Sequence, residues 1–213
     1  MKSLRWIFAL IPLLMSAMPI SADVTIVEDG EGRAAIVIPE DASERVALTA
    51  AEITGCVEQS TGARLPVFRD DRYVPVDYRV QIHLGRTDYV EELQLSLADM
   101  DNDGFLIAVP APSRVVIVGP TDHGTEFGAY EFLERYVGVR WLLPGPDGTD
   151  IPKHHTITIP DTPIRQEPAF MSRHMSGYRG AAQDEWLAHM RRHSRISFHH
   201  NLVRLFPPEE YTE

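Results

Sequence analysis

The stretch Gly119–Pro144, reading GPTDHGTEFGAYEFLERYVGVRWLLP, constrains the fold of this chain more than any other. An apolar, strand-like run, Arg114–Val118, leads into it. A glycine-containing turn follows, then a helical pattern, then a second apolar run, Val139–Leu143. The spacing predicts a strand–helix–strand core unit of the kind that anchors an α/β or α+β layer. The predicted helix places Phe127, Tyr130, Leu133 and Val137 on one side and Ala129, Phe132 and Tyr136 on the other. Its polar strip is narrow: Glu126, Glu131, Glu134 and Arg135. A helix apolar around so much of its circumference is covered on two sides, by its own sheet and by a further layer. Where that layer is incomplete, one face is expected to stand exposed.

The flanking sequence reads as alternating strands and helices. Ala34–Ile38 is a short strand ending at Pro39, and Asp41 with Glu44 reads as a capping box opening a helix over Ala42–Gln59 that stops at Thr61-Gly62. Val46, Ala50, Ile53 and Val57 form its core stripe, with Thr49 and Cys56 beside it. Cys56 is the chain's one cysteine, so no internal disulfide is expected, and its place beside the stripe makes it a small core residue. Arg64–Phe68 is a strand that Pro66 confines to an edge. Tyr78–Leu84 alternates as a strand, Asp88–Leu97 suggests a short helix, and Phe105–Val109 with Arg114–Val118 reads as a hairpin. His155–Ile159 is a further strand, and Pro160, Pro163 and Pro168 mark a domain boundary. Beyond it, Ala169–His174 and Asn201–Phe206 read as strands and Asp184–His193 as a helix.

Residues 1–22 stand apart from this pattern. Lys2 and Arg5 precede the apolar run Trp6–Met15, and Ile20-Ser21-Ala22 offers a small residue for cleavage. That is the layout of a secretory signal peptide, with the mature chain starting near Asp23. An uncleaved membrane anchor is the competing reading, which Pro12, Pro19 and the small residues disfavour. The chain is therefore expected to be exported, to the periplasm or beyond, with no membrane span after cleavage. Its formal net charge is −11, from 20 basic and 31 acidic residues, and no basic stripe is present. Nucleic acid is an unsuitable partner for such a surface.

Several motifs resemble chemical sites without completing them. Gly119–Thr125 has the glycine spacing of a phosphate-binding loop, but Thr125 stands where that loop needs lysine. Asp99–Gly104 matches the first half of a calcium-binding loop, but Pro110 occupies the last ligand position. It reads better as an acidic turn before a strand. His189 and His193 would share a face of one helix, yet no HExxH is present, and the adjacent pairs His154-His155 and His199-His200 would point apart in a strand. No metal ligand set and no cofactor is expected. Met175-Ser176-Gly177 lacks the leading glycine of a nucleophile elbow, and nothing singles out two carboxylates for glycoside hydrolysis.

Taken together, Asp103-Gly104-Phe105, Val115–Gly119, Gly124-Thr125 with Gly128–Glu134, Gly138–Trp141 and Pro144-Gly145 resemble the N-terminal, pre-barrel domain of bacterial α-glucuronidase-like glycoside hydrolases. They equally resemble a related family of large secreted proteins with a similar domain in front of a barrel. Ser60–Val67 fits the same pattern. The resemblance covers about Ala34–Pro168 and implies an α+β domain with a mixed β-sheet and two main helices, like the domain preceding the barrel in hexosaminidases and α-glucuronidases. It implies that residues 23–167 form this accessory domain and that 168–213 are the truncated beginning of a (β/α)8 barrel, since a whole barrel takes on the order of 250 residues. It also implies that the catalytic carboxylates lie in the barrel, so no catalytic residue is assigned here. If Ala169–His174 were the first barrel strand, Arg173 and His174 would lie near its C-terminal end, where barrel active sites form. They are the substrate-binding candidates. The expected function is that of a non-catalytic domain of an exported carbohydrate-active protein, inactive alone. A carbohydrate, a barrel domain or a partner chain is its expected partner. A stand-alone binding or interaction module and a histidine-based metal hydrolase are the other readings.

Overall fold

The computed structural model describes residues 23–177, 179–196, 206 and 210. The expected signal peptide and the expected strand Asn201–Phe206, Phe206 apart, lie outside them. The chain opens with β1 (Val24–Glu28) and β2 (Glu31–Gly32), neither of them anticipated from the sequence, then β3 (Ala34–Ile38), α1 (Glu44–Thr61), β4 (Val67–Arg69) and β5 (Val80–Leu84). Next come α2 (Asp88–Glu92), β6 (Phe105–Ala111), β7 (Arg114–Val118) and α3 (Asp122–Phe132), which runs on as a π-turn over Leu133–Val137. The chain continues with β8 (Arg140–Trp141), β9 (Thr149–Asp150), β10 (Ile157–Ile159), β11 (Ile164–Gln166) and α4 (Ala181–His189).

Six strands form the main sheet in the order β11-β6-β7-β5-β3-β4. β4, β3, β5 and β7 run parallel, and β6 and β11 complete it antiparallel. β3 is buried along its whole length, because a parallel strand in the sheet's interior is covered on both faces. On one face Ile36, Ile82, Val115 and Ile117 meet Ala50, Ile53 and Val57 of α1 and Phe127 and Leu133 of α3 in the main core. On the other, Val116 and Val118 meet Val90, Leu97 and Met100 in a smaller one. β1 pairs with β10 and β2 in a second sheet, and Val24, Ile26, Val27, Ile157 and Ile159 join the main core. This is the expected α+β fold with a mixed sheet and two main helices, α1 and α3.

Local expectations met the structure unevenly. Ser43, not Asp41, caps α1, its hydroxyl accepting from Val46 N–H at 3.3 Å. Helix α1 ends at Gly62, whose φ of 80° suits the left-handed cap. β4 is the sheet's edge strand, as Pro66 implies, and starts just after it. The helix expected over Asp88–Leu97 stops after Glu92, and Gln94 turns the chain with φ 49°. The largest correction concerns Val139–Leu143. This run does not return to the main sheet. Arg140–Trp141 pairs with Thr149–Asp150 in a separate two-stranded ribbon, and Leu142 and Leu143 are each 65% exposed. The π-turn and Gly138 swing the chain off the sheet's axis before it can add a strand.

Cys56 is buried and its thiol pushed up to about 12 by that burial, with Glu52 adding to it, which fits a core thiol. His83 is also buried. Its Nδ1 lies 2.9 Å from Thr87 Oγ1, and among the described residues its Nε2 has no hydrogen-bond partner. Burial, then the Arg114 charge, lowers its pKa to about 4. Above the ordinary histidine pKa of about 6.5, both folded and unfolded chains hold this ring neutral. As pH falls from 6.5 to 4 only the unfolded chain takes up the proton, so stability is lost in that window. A His83→Gln variant is expected to lose about 2–3 kcal/mol less than the parent between pH 7 and pH 4 in urea unfolding. Parallel pH curves for the two proteins would count against this account.

Candidate functional site

The region with most chemistry is the seam where residues 170–177 and 179–196 lie back across α1, α3 and the acidic turn Asp99–Gly104. This turn is built by local bonds. Asp101 accepts from Asp103 N–H at 2.9 Å, and Gly104 N–H donates to Asp101 C=O at 2.8 Å. The turn leads directly into β6, as expected of an acidic turn before a strand. Its carboxylates bind arginines. Asp99 pairs with Arg165 at 2.9 Å, and Asp101 with Arg195 at 2.8 Å. The side chain of Asp103 is fully buried, 2.7 Å from Arg173 Nη2 and 2.8 Å from His193 Nδ1. The Arg165 hydrogen bond holds Asp99 below the usual carboxylate range, and the Asp103 N–H does the same for Asp101.

Further along α3, Glu126 sits in a second polar centre. Arg45 Nη1 lies 2.5 Å from its Oε2, and the Tyr130 hydroxyl donates to its Oε1 at 3.2 Å. Burial pushes the Tyr130 phenol far up, so it stays a donor. His123 stacks on His193 with ring centroids 3.9 Å apart. Burial first, then the Arg45 charge, lowers its pKa. A third centre joins α1 to α4. His189 Nε2 lies 2.6 Å from Glu52 Oε1, and its ring stacks on Trp141 at 4.3 Å and 10°. The Trp186 indole N–H donates to Trp141 C=O at 2.9 Å. Arg191 reaches both Glu131 and Glu134.

These contacts share one polarity. Arg173, His189, Arg191, His193 and Arg195 come from the segment, and Glu52, Asp101, Asp103, Glu131 and Glu134 from the α+β domain. The arrangement fastens one element to another. Each carboxylate of the seam has a cation or an imidazole against it.

Arg173 and His174 do not sit on a barrel strand. Ala169–His174 forms no strand; Arg173 makes only an isolated bridge with His193. Arg173 lines a cavity of about 200 Å³ beside Phe127 and Glu167, but its three guanidinium nitrogens are spent on Asp103, Arg191 C=O and Phe170 C=O. His174 is exposed, with Nδ1 2.8 Å from Ser194 Oγ. His189 and His193 do not share a helix face either. Helix α4 ends at His189, and Arg191 with φ 55° redirects the chain, so His193 reaches Asp103 instead. Among the described residues, no three His, Cys, Asp or Glu side chains converge as a metal site. The phosphate-loop spacing is a backbone device: Thr121 caps α3, accepting from Gly124 N–H, and Thr125 Oγ1 accepts from Gly119 N–H at 3.1 Å. The face of α3 expected to be left bare is covered, with Phe127, Tyr130 and Phe132 all buried. Sequence reasoning did not find Glu52, Asp103 or His193. Glu52 carries no signal in the sequence, Asp103 is legible there only as part of an acidic turn and of the family resemblance, and His193 only as one of a histidine pair, with nothing to say that they meet.

No family model matches the chain, and no curated protein sequence matches it. Among solved structures it is similar to a family GH115 4-O-methyl-α-glucuronidase with specificity for decorated arabinogalactans, at TM-score 0.51 and 16% identity, over 71% of this chain and 19% of that one. It also aligns with an N-acetyl-β-hexosaminidase of Streptomyces plicatus at TM-score 0.46 and 15% identity, over 72% of this chain and 25% of that one. A family GH20 β-N-acetylhexosaminidase of Streptomyces coelicolor A3(2) gives TM-score 0.46 and 17% identity, over 73% and 26%. The α-glucuronidase match shows a common fold, and the expected resemblance holds at that level. The chain spans between a fifth and about a quarter of the length of these enzymes.

Proposed function

We propose that this chain is the non-catalytic, pre-barrel part of an exported carbohydrate-active protein, and that it holds a following catalytic barrel in place. The observation that carries this reading is the one-sided ionic seam. It fastens residues 173–195 onto α1, α3 and the acidic turn, so whatever continues from that segment is held at a fixed position relative to the α+β domain. The outward side of the segment supports the same reading. Phe170 is 74% exposed and Met171 57%, surface suited to burial against a further domain. Export in this reading rests on the signal-like residues 1–22. Among the described residues no helix is long and apolar enough to cross a membrane. A carbohydrate approaching the seam would meet the exposed His174 before the part-buried Arg173, three of whose five N–H donors are engaged.

The purified chain is expected to show no turnover of aryl glycosides or glucuronoxylan oligosaccharides above a buffer blank. A longer product of the same gene that includes a barrel is expected to hydrolyse a glycoside, and to lose solubility or activity when residues 23–167 are removed. Turnover by the chain alone that co-purifies through successive columns would overturn the reading.

A further inference from the structure

A separate pocket of about 230 Å³ opens where the β8–β9 ribbon meets α4. The side chains that matter for its chemistry are Trp141, Trp186, Leu143, Thr149, Glu185 and His189. Its aromatic walls are fixed before any ligand arrives. Trp186 is pinned by its N–H bond to Trp141 C=O, and Trp141 by stacking on His189 and an edge contact with Tyr130 at 5.5 Å. His189 is in turn held by Glu52. Among the described residues, no arginine or lysine lines the pocket. Glu185 is exposed at its rim and, among the described residues, has no side-chain partner, unlike Glu52, Glu126, Glu131, Glu134, Asp101 and Asp103.

We infer that this pocket binds an organic cation, an alkylammonium or guanidinium group such as a lysine or arginine side chain presents. Indole is the best aromatic partner for a cation, and the attraction grows as the cation is desolvated. A rigid, pre-formed wall removes the ordering cost that a flexible site would add. The free carboxylate of Glu185 supplies the counter-charge, and Thr149 a further acceptor. An anion would meet that carboxylate with only His189 nearby among the described residues, and that imidazole already faces Glu52. The net charge of −11 also raises the local concentration of cations around the molecule. This inference does not depend on the proposed scaffolding role.

The test is a titration of the full chain with n-butylammonium chloride, followed by tryptophan fluorescence and calorimetry at fixed ionic strength. Saturable binding is expected, weakened at least fivefold in Glu185→Gln and in Trp186→Phe. n-Butanol and methyl glucoside, neutral probes of similar reach, are expected neither to bind nor to compete. Glu185 is exposed, so its substitution leaves the fold intact. Absence of saturation, equal binding of a neutral probe, or unchanged affinity in Glu185→Gln would each overturn the inference.

Discussion

Gly124→Ala is expected to cost at least about 3 kcal/mol, beyond the usual 1–3 kcal/mol of an overpacked core position. A Cβ at Gly124 would lie 2.2 Å from the Gly104 carbonyl oxygen and 3.2 Å from that of Asn102. Both are backbone atoms, so no rotamer change relieves the clash. The first turn of α3 and the acidic turn therefore cross backbone on backbone, tied by the Thr121 hydroxyl donating to Asn102 C=O at 2.6 Å. Forcing them apart also moves Asp101 and Asp103 away from the arginines they hold. Gly55→Ala is the matched control. Among the described residues nothing beyond its chain neighbours and its own helix backbone lies within 4 Å of a Cβ there, and the site is in the middle of α1. Removing a helical glycine is expected to stabilise by about 0.5–1 kcal/mol. Urea unfolding with unchanged m-values measures both. A loss below about 1 kcal/mol for Gly124→Ala would show that the crossing yields more readily than its geometry indicates.

Asp103→Ala is expected to release the segment from the seam. Its carboxylate is fully buried and serves Arg173 and His193 together. Removing one partner of a buried ion pair costs about 3–5 kcal/mol, because the other charge is left behind. Arg173 retains some exposure, which places the expected loss at the lower end, about 3 kcal/mol. The loss is local. Proteolysis and amide exchange should rise around Trp186 and Leu187, while the sheet stays protected. Arg173→Met added to Asp103→Ala should recover part of the loss, since it removes the orphaned charge. An Asp103→Ala protein whose segment is as protected as the parent's would separate the ionic seam from the holding of the segment. The scaffolding role would then need another basis.

Both predictions concern residues whose type was legible and whose role was not. The glycines of Gly119–Thr125 form the expected glycine-containing turn, and what they admit is the backbone of a different loop. Asp103 was read as part of an acidic turn, also correct, but the arginine and histidine that neutralise it lie far along the chain at 173 and 193. The apolar stripe of α1 and the hairpin β6–β7 were fully legible, because their patterns are local and periodic. The run Val139–Leu143 was apolar enough for a core strand and became a ribbon with exposed leucines, because its placement is set by the π-turn before it.

The sequence by itself determined the two main helices α1 and α3, the strands β3, β5, β6 and β7 with their order, the wide apolar girth of α3, and the resemblance that the α-glucuronidase fold bears out. Hydrophobic periodicity and glycine and proline positions act over a few residues, so they can be read without coordinates. Only the tertiary structure decided that residues 173–177 and 179–195 fold back onto α1 and α3, that Arg173, Arg191 and Arg195 of this segment all meet carboxylates of the α+β domain, and that Trp141 and Trp186 frame a pocket. Those features rest on charges and rings brought together across tens of residues. Ion pairing has no periodicity and carries no local signal of its partner.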